Sequence, residues 1–307
     1  TKQEISWMMY DWANSAHSVI IVTLLPIFFD TVAGYTADSV SSMSTWGYAT
    51  SIAMLIVALA APFLGVFGDI RGMRKKLFSF FMLLGVAACA GMAFTPGMDF
   101  TSGPVAAGKV ATLILVLYIV SVIGFDASAI YYDAFLTDVT TEDRMDKVST
   151  MGYGLGYIGG STIPLLIFLI MNLVGVPMLT CLAFVFGLTA VWWLAFSLPL
   201  LKNCEQTSGK PYEKGDVARS IKGVGTTIKE IIANKPMLIY ILSYFFYIDG
   251  VHTVISMATT YGTNLGLDST GMMLALLLVQ ILGLPFCLLY IKCSEKFGAR
   301  TMVGFGI

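Results

Sequence analysis

Charged residues are scarce in this chain of 307 residues, at 12%, whereas 57% are hydrophobic. A soluble domain of this size carries about a quarter charged residues, so a soluble globular fold is excluded. The mean hydropathy is +0.80, and the apolar residues form runs of roughly 20, enough to cross a ~30 Å hydrocarbon core. These runs do not alternate as membrane barrel strands do. The composition therefore predicts an all-α integral membrane protein.

Several functional signatures are missing as well. There is no CxxC pair, and no HExxH or GxSxG motif, so neither a redox centre, a metal site nor an enzyme is predicted. We expect no cofactor. No basic cluster suggests nucleic acid. No cleavable signal peptide is visible, and the absence of an N-x-S/T sequon with short outer loops favours a bacterial inner membrane.

The apolar runs predict eight membrane spans and the start of a ninth near residue 301. They lie at 7–29, 46–68, 77–96, 110–136, 149–172, 178–200, 236–261 and 270–291. The long polar segment divides them into a six-helix bundle at 1–200, a cytoplasmic linker at 201–235 and the start of a second bundle at 236–307. Within the linker, 217–232 could form an amphipathic surface helix. At ~20 residues per span plus loops, we expect a natural protein of about 400 residues or more.

Positive charge predicts the orientation of these spans. The segments 69–76, 137–148, 201–235 and 292–300 hold all the Lys and Arg except Lys2 and Lys109. With the N-terminus inside, 17 of the 18 basic residues fall on one side of the membrane. Because cytoplasmic loops are enriched in Lys and Arg, that side is predicted to be the cytoplasm.

The aspartates and histidines within the predicted spans all fall in the first, fourth and seventh. Charged groups at bilayer depth are costly and usually face a bundle interior or a water-filled cavity, so these three helices should line a central cavity. This arrangement favours a solute transporter. The candidate substrate- and proton-binding residues are Asp11, Asn14, His17, Asp126, Tyr132, Asp133, Tyr247, Asp249 and His252.

Acids and histidines at this depth favour a proton-coupled site, since buried carboxylates and imidazoles exchange protons near neutral pH. Asp249 precedes Gly250, which could loosen the helix there. Structural roles remain open: Asp11 could bond nearby backbone, Asp133 could belong to a cytoplasmic cluster with Asp138, and the histidines could be interhelical donors. No Lys or Arg lies in a predicted span, which favours a zwitterionic, cationic or neutral solute over an anion.

Two segments recur six spans apart. HSVI at 17–20 in the first span matches HTVI at 252–255 in the seventh. After the second and eighth spans, an acid is followed by a glycine and basic residues, which is similar to the major facilitator signature G-x-x-x-D-R-x-G-R-K. Ile70 replaces a usual basic residue, and Arg71 could supply it. We interpret this as a cytoplasmic gate motif rather than only a positive-inside turn. Its residues are Gly65, Asp69, Arg71, Gly72, Arg74, Glu295, Gly298 and Arg300.

A closer resemblance covers the whole chain. YDWANSA at 10–16, YDAFL at 132–136, GYGLGYIGG at 152–160, YIDGVHTV at 247–254 and ATTYG at 258–262 together resemble the autophagy-linked vacuole effluxer family, with its bacterial relatives, of the major facilitator superfamily. The resemblance implies twelve helices in two six-helix bundles, alternating access and, for fungal members, export of amino acids from the vacuole. Asp133 and His17 depart from the family pattern.

The sequence thus predicts a major facilitator fold, truncated here after about eight helices. We expect a monomeric secondary active transporter that uses alternating access, is coupled to protons, and moves amino acids or similar small polar solutes. A cation or drug exporter is an alternative within transport. A non-transporting membrane receptor or scaffold with the same fold is an alternative from another class.

Overall fold

The structure, a computed structural model, describes residues 1–36, 42–209, 211, 216–298, 301–302 and 304, with side chains at 212–222 and 269 outside that description. The described residues form helices and no strand. The α-helices are α1 (Lys2–Ala33), α2 (Ser42–Gly68), α3 (Arg74–Met92), α4 (Pro104–Val139), α5 (Met145–Gly156), α6 (Ile163–Leu173), α7 (Met178–Asn203), α8 (Asp216–Ala233), α9 (Lys235–Asn264) and α10 (Ser269–Phe297).

Eight stretches of the described residues are long and apolar enough to cross a membrane, as many as the sequence predicts before the start of a ninth. The fifth is composite: α5 and α6 are joined through a π-helical turn, Tyr157–Thr162. The predicted ninth span falls almost wholly outside the described residues. Several helices run past the predicted edges, and α4, with 36 residues, is about 54 Å long at ~1.5 Å per residue. Such a helix carries residues of its last turns beyond a ~30 Å hydrocarbon core.

The first six spans pack as one bundle around α1. This helix packs against α7, α5 and the π-helical turn, and α3 packs along α4. At the crossing of α3 and α4 the backbones nearly touch, because a Cβ atom added at Gly124 would lie 2.5 Å from the Gly85 nitrogen. A Cβ atom at Gly85 would lie 2.4 Å from the Trp193 ring of α7. These glycines let three helices meet at van der Waals distance.

The glycines of the fifth span have the same role against α1. A Cβ atom at Gly156 would lie 2.5 Å from the Ser15 hydroxyl, and one at Gly160 would lie 2.4 Å from the Trp12 carbonyl oxygen. Pro164 follows in the first turn of α6. Since proline has no N–H, it cannot donate to the Gly160 carbonyl, and the regular α-helical ladder is interrupted there. The result is a π-helical turn at the contact with Trp12.

The second half packs less tightly. Helix α9 buries only residues toward its C-terminal end, namely Ser256, Thr259, Thr260 and Gly262. Helix α10 packs on α5 and the π-helical turn. The Tyr157 ring occupies the space that a side chain at Gly283 would need. We call the end of the bundle that carries the basic loops the basic end. Lys147 and Glu295 approach to 3.8 Å there, although both side chains are exposed.

The segment predicted to be a linker has structure of its own. The predicted surface helix at 217–232 is found as α8 and packs on α2 and α9. Before it, residues 204–209 run across the basic end of the bundle as an extended strap. This 204–209 strap contacts the loop between α2 and α3 and the end of α4.

Candidate transport site

Among the acids predicted at the transport site, Asp11 is the one that bonds to a neighbouring helix of the bundle. Its Oδ2 accepts a 2.8 Å hydrogen bond from the Tyr132 hydroxyl of α4. The same oxygen lies against α5, where a Cβ atom at Gly152 would come within 2.6 Å of it. Asp11 is half-buried, and no Lys or Arg among the described residues forms an ion pair with it. One carboxylate thus joins α1, α4 and α5 without a cationic partner.

Tyr132 is itself fixed by the first span. Its ring stacks on Trp7, with centroids 4.3 Å apart and planes at 13°. Trp7 Nε1 donates a 2.9 Å hydrogen bond to the Tyr132 carbonyl oxygen. Both side chains are buried. The hydroxyl that meets Asp11 is therefore held by packing on the same helix that carries Asp11.

A chain of hydrogen bonds runs beside this pair, deeper in the bundle. Ser128 Oγ donates to the Phe125 carbonyl oxygen at 2.8 Å, so its only proton is used. It must then accept from the Tyr10 hydroxyl, also at 2.8 Å. Trp193 Nε1 donates to the Tyr10 oxygen at 3.3 Å. Tyr10 is fully buried, and its hydrogen bonds join α1 to α4 and α7. Tyr10 and Trp193 therefore serve as packing and anchoring groups.

His17 lies near the middle of α1, at the level of Ser121 of α4. Ser121 Oγ donates to the Tyr118 carbonyl oxygen at 2.8 Å and so accepts from His17 Nε2, 3.2 Å away. This assigns the proton of the neutral ring to Nε2. The ring stacks on Phe125 with centroids 4.8 Å apart, and the side chain is 2% exposed. Nδ1 is buried without a partner, so it is a free acceptor inside the bundle.

The remaining acids of α4 face a more open space. Asp126, Ala129 and Ile130 are half-buried and Asp133 is exposed, so the predicted shared face of α4 is the one left partly uncovered. Asn14 is buried, on the same side of α1 as Asp11.

The residues predicted on the seventh span lie elsewhere. Asp249 and His252 are exposed, and Tyr247 is 43% exposed. Their place in an apolar run predicted burial, but α9 packs through its C-terminal half and leaves this half uncovered. A Cβ atom at Gly250 would meet nothing within 4 Å. The structure thus joins the predicted residues of α1 and α4 and leaves those of α9 apart from them.

The predicted gate motif is organised by Arg74, whose side chain is 6% exposed. Its guanidinium forms an ion pair with Asp138, whose side chain is fully buried at the end of α4, and donates to the Ala134 carbonyl oxygen at 3.0 Å. Asp69, the acid of the motif, is exposed and lies 3.9 Å from Arg74. The loop is therefore clamped to α4 through Arg74 rather than through Asp69.

The other motif residues have uneven roles. Gly72 has a φ of +80°, a left-handed conformation that a turn glycine adopts without strain. Gly298 has a φ of +84° at the end of α10, next to Glu295 on the same turn. Arg71, proposed to replace the basic residue lost at Ile70, is exposed, whereas Ile70 is buried. Gly65 has open space around it. Arg300 lies outside the described residues.

Sequence reasoning missed the partners of this loop on the 204–209 strap. Gln206, Thr207 and Ser208 bond to the loop and to Asp138. The only signal was a run of short polar residues directly after the sixth span, which is common in linkers and is not specific.

Two solved structures with the same fold are described as a symporter and a transporter. The chain superposes on a structure described as a D-xylose–proton symporter with a TM-score of 0.60 and 14% identity, over 96% of this chain and 69% of that one. A partially occluded, inward-open structure of the xylose transporter XylE from E. coli gives a TM-score of 0.57 and 14% identity, over 97% and 73%. At this identity the likeness shows the major facilitator fold alone.

Sequence relatives identify the family. The chain is 39% identical over 315 residues to the protein named uncharacterized MFS-type transporter YxiO of Bacillus subtilis, covering all of this chain and 71% of that protein. Autophagy-related protein 22-1 of Sclerotinia sclerotiorum is 24% identical over 172 residues, half of this chain and 29% of that protein. Residues 36–305 match the family described as vacuole effluxer Atg22 like. The chain is a multi-pass membrane protein of the major facilitator type, and it belongs to the Atg22-like vacuole effluxer family.

Proposed function

We propose that this transporter works by alternating access, couples solute movement to protons, and carries amino acids or similar small polar solutes. The basic end faces the cytoplasm in this proposal, because 17 of the 18 basic residues lie on that side when the N-terminus is inside. The membrane is then a bacterial plasma membrane, as the relationship to a Bacillus protein suggests.

The observation that carries the proposal is the Asp11 carboxylate. It lies between three helices with one hydroxyl donor, the 2.8 Å bond from Tyr132, and it forms no ion pair with a cationic side chain in the part of the chain that the structure describes. A charge held away from water without a partner costs several kcal/mol. Either a proton or the ammonium group of a solute removes that cost. Because a proton and an ammonium group would compete for this carboxylate, the site provides the competition that proton–solute exchange needs.

His17 offers a second proton site on the same helix. Its Nε2 proton is committed to Ser121, and its buried Nδ1 has no partner. Protonation at Nδ1 would place a positive charge beside the open face of α4 that carries Asp126. Proton binding at His17 and cation binding at Asp126 would therefore be linked through their charges.

The solute class follows from the charges that line this part of the bundle. The polar faces of α1 and α4 offer carboxylates, an amide and hydroxyls, and their buried portion contains no Lys or Arg among the described residues. An anion would lack a partner there, whereas an ammonium group would find Asp11 or Asp126. An amino acid fits if its carboxylate is bound by backbone N–H groups or by residues of the second half.

The experiment is proton movement in liposomes that contain the full-length protein, followed with an internal pH dye as single amino acids are added. We expect a flux with a subset of amino acids, at least about tenfold lower in Asp11→Asn and Asp126→Asn. Asn keeps the size of the side chain and removes its titration, so the loss reports proton exchange rather than packing.

Asp143→Asn is the matched control, because Asp143 is an exposed acid that lies outside both the proposed proton site and the gate motif. Its flux should stay near that of the wild type. Equal flux in Asp11→Asn and wild type would contradict the role of Asp11. Absence of any flux from folded protein, with every amino acid, would shift the function toward other solutes, uncoupled transport or a receptor.

A further inference from the structure

The 204–209 strap is bonded to the gate loop more densely than any other connecting segment that the structure describes. We propose that it is a latch: it stabilises the conformation seen here and must separate from the gate when the loop between α2 and α3 moves against α4. The inference rests on the alternating-access function proposed above. It gives the segment after the sixth span a part in setting which conformation the transporter occupies.

Asp138 shows how the strap completes the gate. One of its oxygens, Oδ2, is taken by Arg74. The other, Oδ1, accepts from the backbone N–H groups of Thr207 and Ser208 at 3.1 and 2.9 Å, and from both of their hydroxyls at 2.8 Å. A carboxylate offers about four acceptor positions. Because the side chain of Asp138 is fully buried, removing the strap would expose or orphan this oxygen.

Gln206 bonds the other side of the gate. Its Oε1 accepts from the backbone N–H of Gly72 at 2.9 Å and from that of Arg74 at 3.3 Å. Its Nε2 donates to the Gly68 carbonyl oxygen at 2.9 Å. One side chain thus joins the end of α2, the turn and the start of α3. The strap therefore bonds both parts that a gating motion would separate, the loop through Gln206 and α4 through Asp138.

The strap also lies against the loop backbone itself. Gly209 has a φ of +121°, and a Cβ atom there would lie 2.7 Å from the Asp69 carbonyl oxygen. Only glycine allows this approach without strain. The close contact places the strap beside Asp69, whose exposed carboxylate is left free for a partner other than the strap.

The two ends of the strap belong to different parts of the molecule. At its start, Cys204 is buried and its thiol donates to the Gln3 carbonyl oxygen, while Asn203 donates to the Ser6 hydroxyl at 2.9 Å. Beyond its end the chain continues to α8, which packs on α9 of the second half. A movement of the second half relative to the bundle therefore acts on the strap, and the strap acts on the gate.

The test measures conformation directly and needs no known solute. Spin labels at Asp146→Cys and Lys296→Cys, both exposed in the wild type, report the distance between α5 and α10 at the basic end. The full-length protein in nanodiscs, with its native cysteines replaced by serine, is compared with variants of the strap. Gln206→Ala should lower the ratio of the short-distance to the long-distance population about fivefold, the effect expected for one net hydrogen bond.

Thr207→Val keeps the shape of the side chain, removes one donor to Asp138, and should shift the ratio in the same direction by a smaller factor. Glu205→Ala is the matched control, since Glu205 is exposed and bonds none of the described residues; its ratio should equal that of the wild type. Unchanged ratios in both Gln206→Ala and Thr207→Val would overturn the latch. If Gln206→Ala does not fold, Thr207→Val decides alone.

The outcome also distinguishes a failure of the latch from a failure of the alternating-access function on which it rests. A wild type that shows one distance at every pH contradicts alternating access, and the latch with it. Two populations whose ratio ignores the strap contradict the latch alone. A shift in Glu205→Ala as large as that in Gln206→Ala would also overturn the latch, since the effect would not depend on the bonds to the gate.

Discussion

The six-span bundle and the pair α9–α10 differ in how their apolar surface is used. The most apolar window of α1 is mostly buried in the protein, while no residue of the corresponding window of α9 is. The bundle also bonds several of its polar groups internally, through Tyr132, Tyr10 and Arg74. Helix α9 leaves Asp249 exposed. Hydropathy alone identified both regions as spans, so apolar length predicts that a helix crosses the membrane and says little about what it packs against.

Close helix packing gives the largest expected difference between these regions. Gly124→Ala places a Cβ atom 2.5 Å from the Gly85 nitrogen, so α3 and α4 must separate. Overpacking of this kind costs about 1–3 kcal/mol or more. We expect most of the variant to be lost as aggregate in size-exclusion chromatography after mild heating. Gly250→Ala on α9, with open space around it, should behave as the wild type; a similar loss there would mean that α9 is packed as tightly as the bundle.

Buried hydroxyls should give the next effect. Tyr10→Phe leaves Trp193 Nε1 without its acceptor and Ser128 without its donor, at an expected cost of about 1–3 kcal/mol. The variant should unfold several degrees lower in a thermal melt in detergent. Tyr244→Phe on α9, where Tyr244 is 55% exposed, should leave the melting temperature unchanged. Equal melting temperatures of Tyr10→Phe and wild type would argue against the hydrogen-bond chain.

Ion pairs at the basic end extend the comparison. Glu4 is buried and accepts from Arg144 through both oxygens, at 2.9 Å each, and from the Thr140 hydroxyl at 2.8 Å. Arg144 is half exposed, so solvent screens the pair, and Glu4→Gln should cost about 1 kcal/mol. Glu295→Gln breaks an exposed 3.8 Å pair with Lys147 and should cost less than about 0.5 kcal/mol. Denaturation of both variants in parallel measures the two losses in the free energy of unfolding. A larger loss in Glu295→Gln than in Glu4→Gln would contradict this order.

Thiol reactivity gives the smallest effect, with no change in stability. Burial raises the pKa of the Cys204 thiol on the strap to about 11. Only about one molecule in a thousand then carries the thiolate at pH 8, and labelling should quicken roughly tenfold per pH unit below that pKa. Cys293 on α10 is half-buried and should label first with N-ethylmaleimide, as followed by mass spectrometry. Faster labelling of Cys204 would indicate that the strap leaves the bundle often.

The fold was predictable because its signals are local. Runs of apolar residues predict spans, and the glycines at 152, 156 and 160 predict close packing of the fifth span. The pairing of Asp11 with Tyr132 could be anticipated only as a shared cavity, since 121 residues separate them in sequence. The bonds of Gln206 to the gate loop could not be predicted at all. An amide side chain on a polar segment has no periodicity, and its partners are backbone groups that any sequence would offer.

The π-helical turn at Tyr157–Thr162 affects which faces of the fifth span contact its two neighbours, α1 and α10. Its one extra residue per turn offsets the register of α6 from that of α5, so the glycine face can meet α1 while Tyr157 turns to Gly283 of α10. Deleting a single residue there would restore an α-helix and rotate one half of the span by about 100° against the other. Such a chain could satisfy its contacts with α1 or with α10, but not both at once. The length of this span, counted in single residues, therefore determines whether its contacts with α1 and with α10 can form together.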